Sequence, residues 1–265
     1  MKSAKELFDL TGKVAIVTGG RGLYGASISA GLAEMGASVI IASRNKEKCE
    51  ELAAELRAKG LKADSGALDL SDDASIEALV DEVLKKYGKI DILVNNAVDR
   101  RSMCSLNDAT RKKLQDSADT NLQGQIMLSQ AVLKKAMIPA QSGSIINISS
   151  MRGLDSPHFP FYPDCMGDQP VNYTTEKWAM IGLTKYMAGR YGKDHIRVNA
   201  IAPGGFNPNL DPKTNSFVQT YIDNTPLHCW ANEDDIKGPV CFLASEAANY
   251  VTGATLVMDG GWTIW

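Results

Sequence analysis

The sequence predicts an α/β fold, with one seven-stranded parallel sheet covered by helices on both faces. Three observations carry this. Short β-branched runs alternate with stretches of helical period from residue 13 to about 150, which is the rhythm of successive βαβ units. Most of the runs are apolar throughout, as strands buried on both faces of a parallel sheet are. The first run opens through a cluster of glycines into a helix.

Taken in order, strands are expected at Val14–Val17, Val39–Ala42, Lys62–Ala67, Ile90–Val94, Ser144–Ile148, Ile196–Ile201 and Ala254–Met258. Between them, Leu52 and Leu56 mark a short helical face. Ile76, Leu79, Val80, Val83 and Leu84 mark a longer one, recurring at steps of three and four residues. Two stretches break the rhythm. Residues 154–172 hold four prolines and no sustained period, and read as an inserted loop on the substrate side. Residues 203–225 open with the irregular Pro203–Thr214 and read as a substrate lid. No repeat or linker divides the 265 residues, so a single domain, 1–265, is expected.

With 28 Lys+Arg against 31 Asp+Glu the net charge is −3. That lacks the basic excess of a nucleic-acid binder and the acidic block of an interaction tail. No apolar run approaches the 18 or so residues that span a bilayer, so no membrane association is expected. The first 13 residues mix Lys, Glu and Asp with Leu and Phe rather than forming a signal peptide, and the expected address is cytoplasmic. The five cysteines (49, 104, 165, 229 and 241) contain no Cys-x-x-Cys, and His158, His195 and His228 have no ligand spacing, so no metal site is expected.

After the first strand comes Thr18-Gly19-Gly20-Arg21-Gly22-Leu23-Tyr24-Gly25. Glycines let a backbone approach a pyrophosphate, and the free N–H groups and dipole of the following helix bind the anion. This points to a Rossmann-type dinucleotide fold. The end of the second strand then discriminates between cofactors, since an acid there binds the ribose 2′-OH of NAD and a basic residue takes the 2′-phosphate of NADP. The residues present are Ala42-Ser43-Arg44, with Arg21 as a second cation. NADP is therefore expected over NAD.

Tyr173 and Lys177 stand four apart at the start of a helical stretch, so they share one face. An ammonium one turn away favours the phenolate and lets a tyrosine exchange protons with an alcohol or carbonyl. Tyr162, Tyr186 and Tyr191 have Met166, Arg190 and His195 at the same spacing, leaving Tyr173 as the fit among these neighbours.

The glycine loop, Asp69, Asn95-Asn96-Ala97, Asn121, Ile148-Ser149-Ser150, Tyr173-x-x-x-Lys177 and Pro203-Gly204 fall in an order that resembles the short-chain dehydrogenase/reductase family over nearly the whole chain. The ending, Tyr250-Val251-Thr252-Gly253 through Asp259-Gly260-Gly261-Trp262, is similar to the branch of gluconate 5-dehydrogenase and other sugar or polyol reductases. The resemblance implies Tyr173 as acid in reduction and base in oxidation, with Lys177 assisting it and binding the nicotinamide ribose. It implies Ser150, rather than Ser149, as hydrogen-bond donor to the reacting oxygen, and Asn121 as anchor of a water chain to Lys177. It places Gly19, Arg21, Gly22, Leu23 and Tyr24 at the phosphates and Ser43 and Arg44 at the 2′-position. Asp69 and Leu70 would flank the adenine, Asn95 and Ala97 would line the adenosine side, and Pro203, Gly204 and Phe206 would border the nicotinamide. Relatives imply a homotetramer.

Four departures bear on this. The glycines fall as Gly19-x-x-Gly22-x-x-Gly25, the spacing of the extended branch of epimerases and dehydratases, with Leu23 where a glycine is usual. Val98 replaces a glycine after Asn95-Asn96-Ala97, and Pro208 stands where a threonine is common. Ser150 and Tyr173 are 23 positions apart, longer than the family norm by the 154–172 insertion. Within that loop Phe159, Phe161 and Tyr162 could stack on a sugar face or pack on a neighbouring subunit, and His158 and Asp164 could bond hydroxyls. Arg152, Arg100 and Arg101 come from segments converging on the same mouth, which suits an anionic or sugar-acid substrate. The readings are an NAD(P)-dependent oxidoreductase of a small polar carbonyl or alcohol, a cofactor-retaining sugar epimerase or dehydratase, and a silent nucleotide sensor.

Overall fold

The computed structural model describes residues 1–162, 168–211 and 213–264. Seven strands form one sheet: β1 (Val14–Thr18), β2 (Ser38–Ser43), β3 (Ala63–Ala67), β4 (Ile92–Asn95), β5 (Gly143–Ile148), β6 (Ile196–Pro203) and β7 (Thr255–Met258). Each lies within a residue or two of its expected place. The order across the sheet is β3-β2-β1-β4-β5-β6-β7, and every neighbouring pair is parallel. The chain first winds outward from β1 to β3, then returns to pair β4 on the other side of β1. That reversal opens a crevice beyond the carboxyl ends of β1 and β4, where ligands of such sheets bind.

Most of the strands are predominantly apolar because both faces are covered, the edge strand β3 (Ala-Asp-Ser-Gly-Ala) being the exception. Ala15, Val17, Val39 and Ile41 enter one core layer, packed under α2 (Leu23–Glu34), α3 (Lys46–Ala58) and α10 (Lys237–Ala244). Val14, Ile16, Ile40 and Leu93 enter the other, under α4 (Asp73–Tyr87), α6 (Gly124–Val132) and α8 (Val171–Tyr191). The period of two along each strand thus assigns alternate residues to two cores. A short α1 (Ala4–Phe8) precedes β1, and α9 (Ser216–Asp223) follows β6.

Polar side chains set the helix ends. Asn45 caps α3 by accepting from the Lys48 N–H, Asp72 caps α4 at Ala74, and Gly88 closes α4 at φ 74°. Before β5 a nearly continuous helical path runs through α5 (Arg111–Ala118), a π-turn at Asp119–Gln123, α6, a second π-turn at Leu133–Met137 and α7 (Ile138–Ala140). A π-turn inserts one extra residue into the helical phase. Here it turns Asn121 inward.

The expected single unit is what forms, and the extended-branch glycine spacing is not accompanied by a separate substrate domain. The 154–172 insertion carries a 3₁₀ turn at Phe159–Phe161 and ends where α8 begins. No described helix is long and apolar enough to cross a membrane.

Leu128 of α6 is fully buried against the sheet. Leu128→Ala is expected to lower unfolding free energy by about 3 kcal/mol, the usual cost of a buried leucine cavity, as read from urea denaturation midpoints.

Candidate active site

The crevice is a cavity of about 660 Å³ that runs from β2 and β3 past the glycine loop to Ser150, Tyr173 and Lys177. One end is built by a clamp between β1 and β4. The Thr18 hydroxyl accepts from the Asn96 and Ala97 N–H groups, both at 3.0 Å, and the Asn96 side-chain amide donates to the Thr18 and Gly19 carbonyls at 3.0 and 3.1 Å. Gly19 itself sits at φ 60°. A Cβ on Gly25 would come within 2.1 Å of the Gly19 carbonyl oxygen, so only glycine lets α2 start this close to the loop. Gly22 caps α2 without a side-chain bond, leaving first-turn N–H groups for an anion.

Leu23 and Tyr24 line the cavity in place of the usual residues, and Tyr24 stacks on Phe206 with ring centroids 4.6 Å apart. Val98 also lines it and has an ordinary negative φ, since the described non-glycine residues with positive φ are Gln141, His195 and His228. Pro208 is exposed and outside the lining.

At the adenosine end, Ser43, Arg44, Asp69, Leu70 and Ala97 line the cavity as expected. Ser71 donates to the Asp69 carboxylate through both its amide and its hydroxyl, and these bonds hold that carboxyl below its usual range. Arg44 pairs with Asp99 at 2.9 Å, and Arg21 with Glu51 at 3.2 Å. The Arg101 guanidinium is the main cause that pulls the Asp99 carboxyl down to about 2. Arg21 and Arg44 stay about half exposed, and ion pairs of that kind are weak enough to be exchanged for a phosphate.

Asn95 corrects the sequence reading. It is fully buried and faces the sheet interior, where its side-chain amide donates to the Ser129 hydroxyl at 3.0 Å and to the Asn147 side-chain carbonyl at 2.9 Å. Asn96, the first residue beyond the end of β4, lines the cavity instead.

At the catalytic end, Tyr173 and Lys177 lie one turn apart near the start of α8, with the Lys177 Nζ 5.7 Å from the Tyr173 ring centre. Lys177 is 5% exposed and donates to the Ile148 carbonyl at 2.7 Å. Burial lowers its ammonium to about 8; Glu176 opposes the shift and Arg100 adds to it. Ser150 lines the cavity, and its Oγ accepts from the Arg152 N–H at 3.1 Å. The Ser149 hydroxyl donates instead to the Lys177 carbonyl at 2.8 Å, so Ser150 is the freer of the two. A Cβ on Gly153 would stand 2.5 Å from the Ser149 Oγ and 2.7 Å from the Lys177 carbonyl oxygen. This close approach seats the Ser150 turn on α8.

Asn121 is not part of the cavity wall. Its Oδ1 accepts from the Asp99 N–H at 2.7 Å, and its Nδ2 lies 2.9 Å from the Asp99 carbonyl, 3.1 Å from the Ser117 Oγ and 3.0 Å from the Glu176 Oε2. Sequence reasoning does not single out Glu176 and Ser117, because an isolated polar residue on a helix reads as solvated; Asn96 enters it only as part of Asn95-Asn96-Ala97, and Asp99, in the loop after β4, not at all.

Substrate-side expectations divide. Pro203, Gly204, Phe206, Arg100, Arg152 and Tyr162 line the cavity, whereas Arg101 is exposed and bonded to Asp99. Arg152 is 5% exposed, and donates to the Ser156 carbonyl at 2.8 Å and to the Tyr162 hydroxyl. Neither Arg100 nor Arg152 has a carboxylate partner among the described residues. His158 is exposed, outside the cavity, and stacked on Phe161. Phe159 is exposed, and Phe161 packs with Phe217, Tyr221 and Trp262 in a third apolar cluster. Of Phe159, Phe161 and Tyr162, Tyr162 alone lines the cavity, and its ring stacks on Phe217 at 5.5 Å. Asp164 lies outside the described residues. Burial pushes the Tyr221 hydroxyl up to about 12; it accepts from the Gly205 N–H at 2.9 Å, fixing α9 to the end of β6.

The glycine cradle, the free first-turn N–H groups of α2 and the cavity therefore fit a dinucleotide. A sequence profile described as enoyl-(acyl carrier protein) reductase matches residues 21–263. The chain belongs to the short-chain dehydrogenase/reductase family. It is 33% identical over 258 residues to 2-dehydro-3-deoxy-D-gluconate 5-dehydrogenase of Dickeya dadantii, covering 96% of this chain and 97% of the other. It is also 33% identical to gluconate 5-dehydrogenase of Gluconobacter oxydans, with 99% of each covered. Among solved structures, a gluconate 5-dehydrogenase from Burkholderia cenocepacia in complex with NADP and tartrate superposes with a TM-score of 0.88 at 33% identity, over 99% of this chain and 100% of that one. Family members of this kind are oxidoreductases acting on CH–OH groups through NAD(P).

Two outcomes follow. Gly25→Ala, which drives a Cβ into the Gly19 carbonyl, is expected to weaken NADP binding in calorimetry by at least about tenfold, because the α2 anion site depends on that approach. In the reductive direction, kcat/KM is expected to fall as pH rises through about 8, where Lys177 loses its proton, as seen in a pH–rate profile.

Proposed function

We propose that this protein is an NADP(H)-preferring oxidoreductase that interconverts a secondary alcohol and a ketone on a small anionic polyol, a sugar acid being the class that fits. The single observation that carries the substrate class is Arg152. A guanidinium buried in the cavity wall beside Ser150, bonded only to neutral groups among the described residues, is costly to desolvate unless a ligand anion completes it. Arg100 adds a second positive charge to the same wall. The names of the curated relatives and the tartrate of the Burkholderia complex agree with a hydroxy-acid ligand.

When bound, the cofactor supplies or takes the hydride. Ser150 donates to the reacting oxygen, and Tyr173 delivers the proton in reduction and removes it in oxidation. Lys177, held by the Ile148 carbonyl, stabilises the tyrosine anion left behind. Arg44 and Arg21 favour a 2′-phosphate, which supports NADP over NAD. The insertion and α9 act as the substrate-side cover, with Tyr162 as the ring facing a sugar. Exposed Leu114, Ile126, Trp178 and Tyr186 on α5, α6 and α8 support association of copies into a tetramer, and the cytoplasm suits an enzyme of this cofactor.

The test is NADPH oxidation against a panel of acidic and neutral keto-sugars, with 5-keto-D-gluconate and fructose as its poles. Tyr173→Phe is expected to abolish turnover, a loss of at least about 10²-fold for a missing acid–base group, while NADPH still binds. Arg152→Ala is expected to raise KM for the acidic substrates by roughly 10- to 100-fold, the worth of a charged hydrogen bond, and to leave neutral ones unchanged. Equal use of acidic and neutral substrates, unaffected by Arg152→Ala, overturns the substrate class.

A further inference from the structure

Beneath the catalytic pair lies a carboxylate that the reaction as described does not use. Glu176 is 6% exposed. Its Oε1 accepts from the Ser117 hydroxyl at 2.6 Å, and its Oε2 from the Asn121 amide at 3.0 Å. These neighbours belong to α5 and to the π-turn at Asp119–Gln123, so the carboxylate ties α8 to the helix beside it. Asn121 in turn grips both the N–H and the carbonyl of Asp99, in the loop that follows β4 and lines the cofactor cavity. One carboxylate thus braces the helix bearing Tyr173 and Lys177 against the loop bearing Arg100.

Two donors, one on each oxygen, suit a carboxylate, whereas a glutamine keeps one acceptor oxygen and would have to donate to the Ser117 hydroxyl. Even so, removing a carboxylate from water costs several kcal/mol unless another charge offsets it. The adjacent residue supplies that charge. Lys177 is itself buried; burial raises the Glu176 carboxyl, while Ser117, Asn121 and the Lys177 ammonium next to it in the chain oppose that shift. Besides Glu176, the ionisable groups acting on Lys177 are Tyr173, whose ring centre lies 5.7 Å from its Nζ, and Arg100 of the β4 loop; the Ile148 carbonyl of β5 is its hydrogen-bond acceptor. Arg100 repels it, so among these neighbours Glu176 is the acid. On α5, Lys112, Lys113 and Asp116 are exposed and face solvent.

We propose that Glu176 is a positioning residue of the active site, whose buried carboxylate both braces Asn121 and supplies the counter-charge that keeps Lys177 an ammonium beside Tyr173. The Ser117–Asn121–Glu176 contact makes the charge local and fixed, where a solvated acid would be screened. A purely structural Glu176, made neutral, would leave the Lys177 titration where it was.

The proposal is tested without substrate. The Lys177 side chain is followed by NMR in lysine-labelled protein, with its signal assigned by its loss in Lys177→Met, and titrated in wild type, Glu176→Gln and Glu176→Asp. The Lys177 midpoint is expected to fall by about one pH unit in Glu176→Gln, the size of effect of one nearby opposite charge, and to stay within a few tenths of wild type in Glu176→Asp. Should Glu176→Gln not fold, Glu176→Ser, which leaves room for water to bond Ser117 and Asn121, is read in the same way. Where a keto-sugar is turned over, the alkaline limb of the reductive kcat profile is expected to move down with the NMR midpoint. An unmoved Lys177 midpoint in a folded neutral variant overturns the counter-charge role, whatever the variant does to thermal stability. Since no substrate is needed, that result is separable from failure of the sugar-acid reading.

Discussion

The Lys177 ammonium has left water, and much of the active-site architecture is arranged around that fact. A buried cation has to be met by oriented dipoles or opposite charge. It meets the carbonyl at the end of β5, an acid one residue before it and the ring of Tyr173. Each of these is delivered by a different constraint. The parallel sheet brings the end of β5 beneath α8, the helix supplies the four-residue spacing, and the glycine contact at Gly153 presses the Ser150 turn onto the Lys177 carbonyl. Loosening any of them would leave a charge unsupported in a dry site. The cofactor end is built by the same logic of close approach, through Gly19, Gly25 and the Thr18–Asn96 clamp.

Much of this was legible in the sequence because it depends on short-range pattern. Apolar runs gave most of the strands, since a strand buried on both faces has no polar alternation to confuse its reading, and the alternation with helical stretches gave the polar edge strand β3. The glycine loop and the Tyr173–Lys177 spacing were legible because each is a local unit with a fixed geometric use. What was not legible depends on phase and on distant partners. Asn95 and Asn96 are neighbours with identical side chains, and the end of β4 between them decides that the first braces the core while the second, held by Thr18 and Gly19, reaches the cavity. Asn121 owes its inward position to a π-turn that no residue pattern announced. Glu176 looked like one more charge on a helix until Ser117 and Asn121, more than 50 positions away, arrived beside it.

The insertion shows a different limit. Its aromatic residues suggested a sugar platform, but composition does not distinguish a ring that faces a ligand from one that faces a protein core. Phe161 found Phe217, Tyr221 and Trp262, and only Tyr162 remained at the cavity, bonded to Arg152. The insertion thereby lends the cavity one aromatic ring, anchors itself through Phe161 and leaves Phe159 exposed.

That anchoring carries a consequence for the order of assembly during synthesis. The glycine loop, β2, β3 and β4 are translated within the first hundred residues, so the Thr18–Asn96 clamp has both its partners early. The third apolar cluster does not, because Phe161 waits for Tyr221 and both wait for Trp262. A cluster that needs residue 262 closes only when nearly the whole chain has been made. A chain emerging from the ribosome would therefore own a cofactor-binding half before it had a substrate wall, with the wall closing only when the ring of Trp262 slides against Tyr221. Selectivity for substrate would then be the last property the nascent protein acquires.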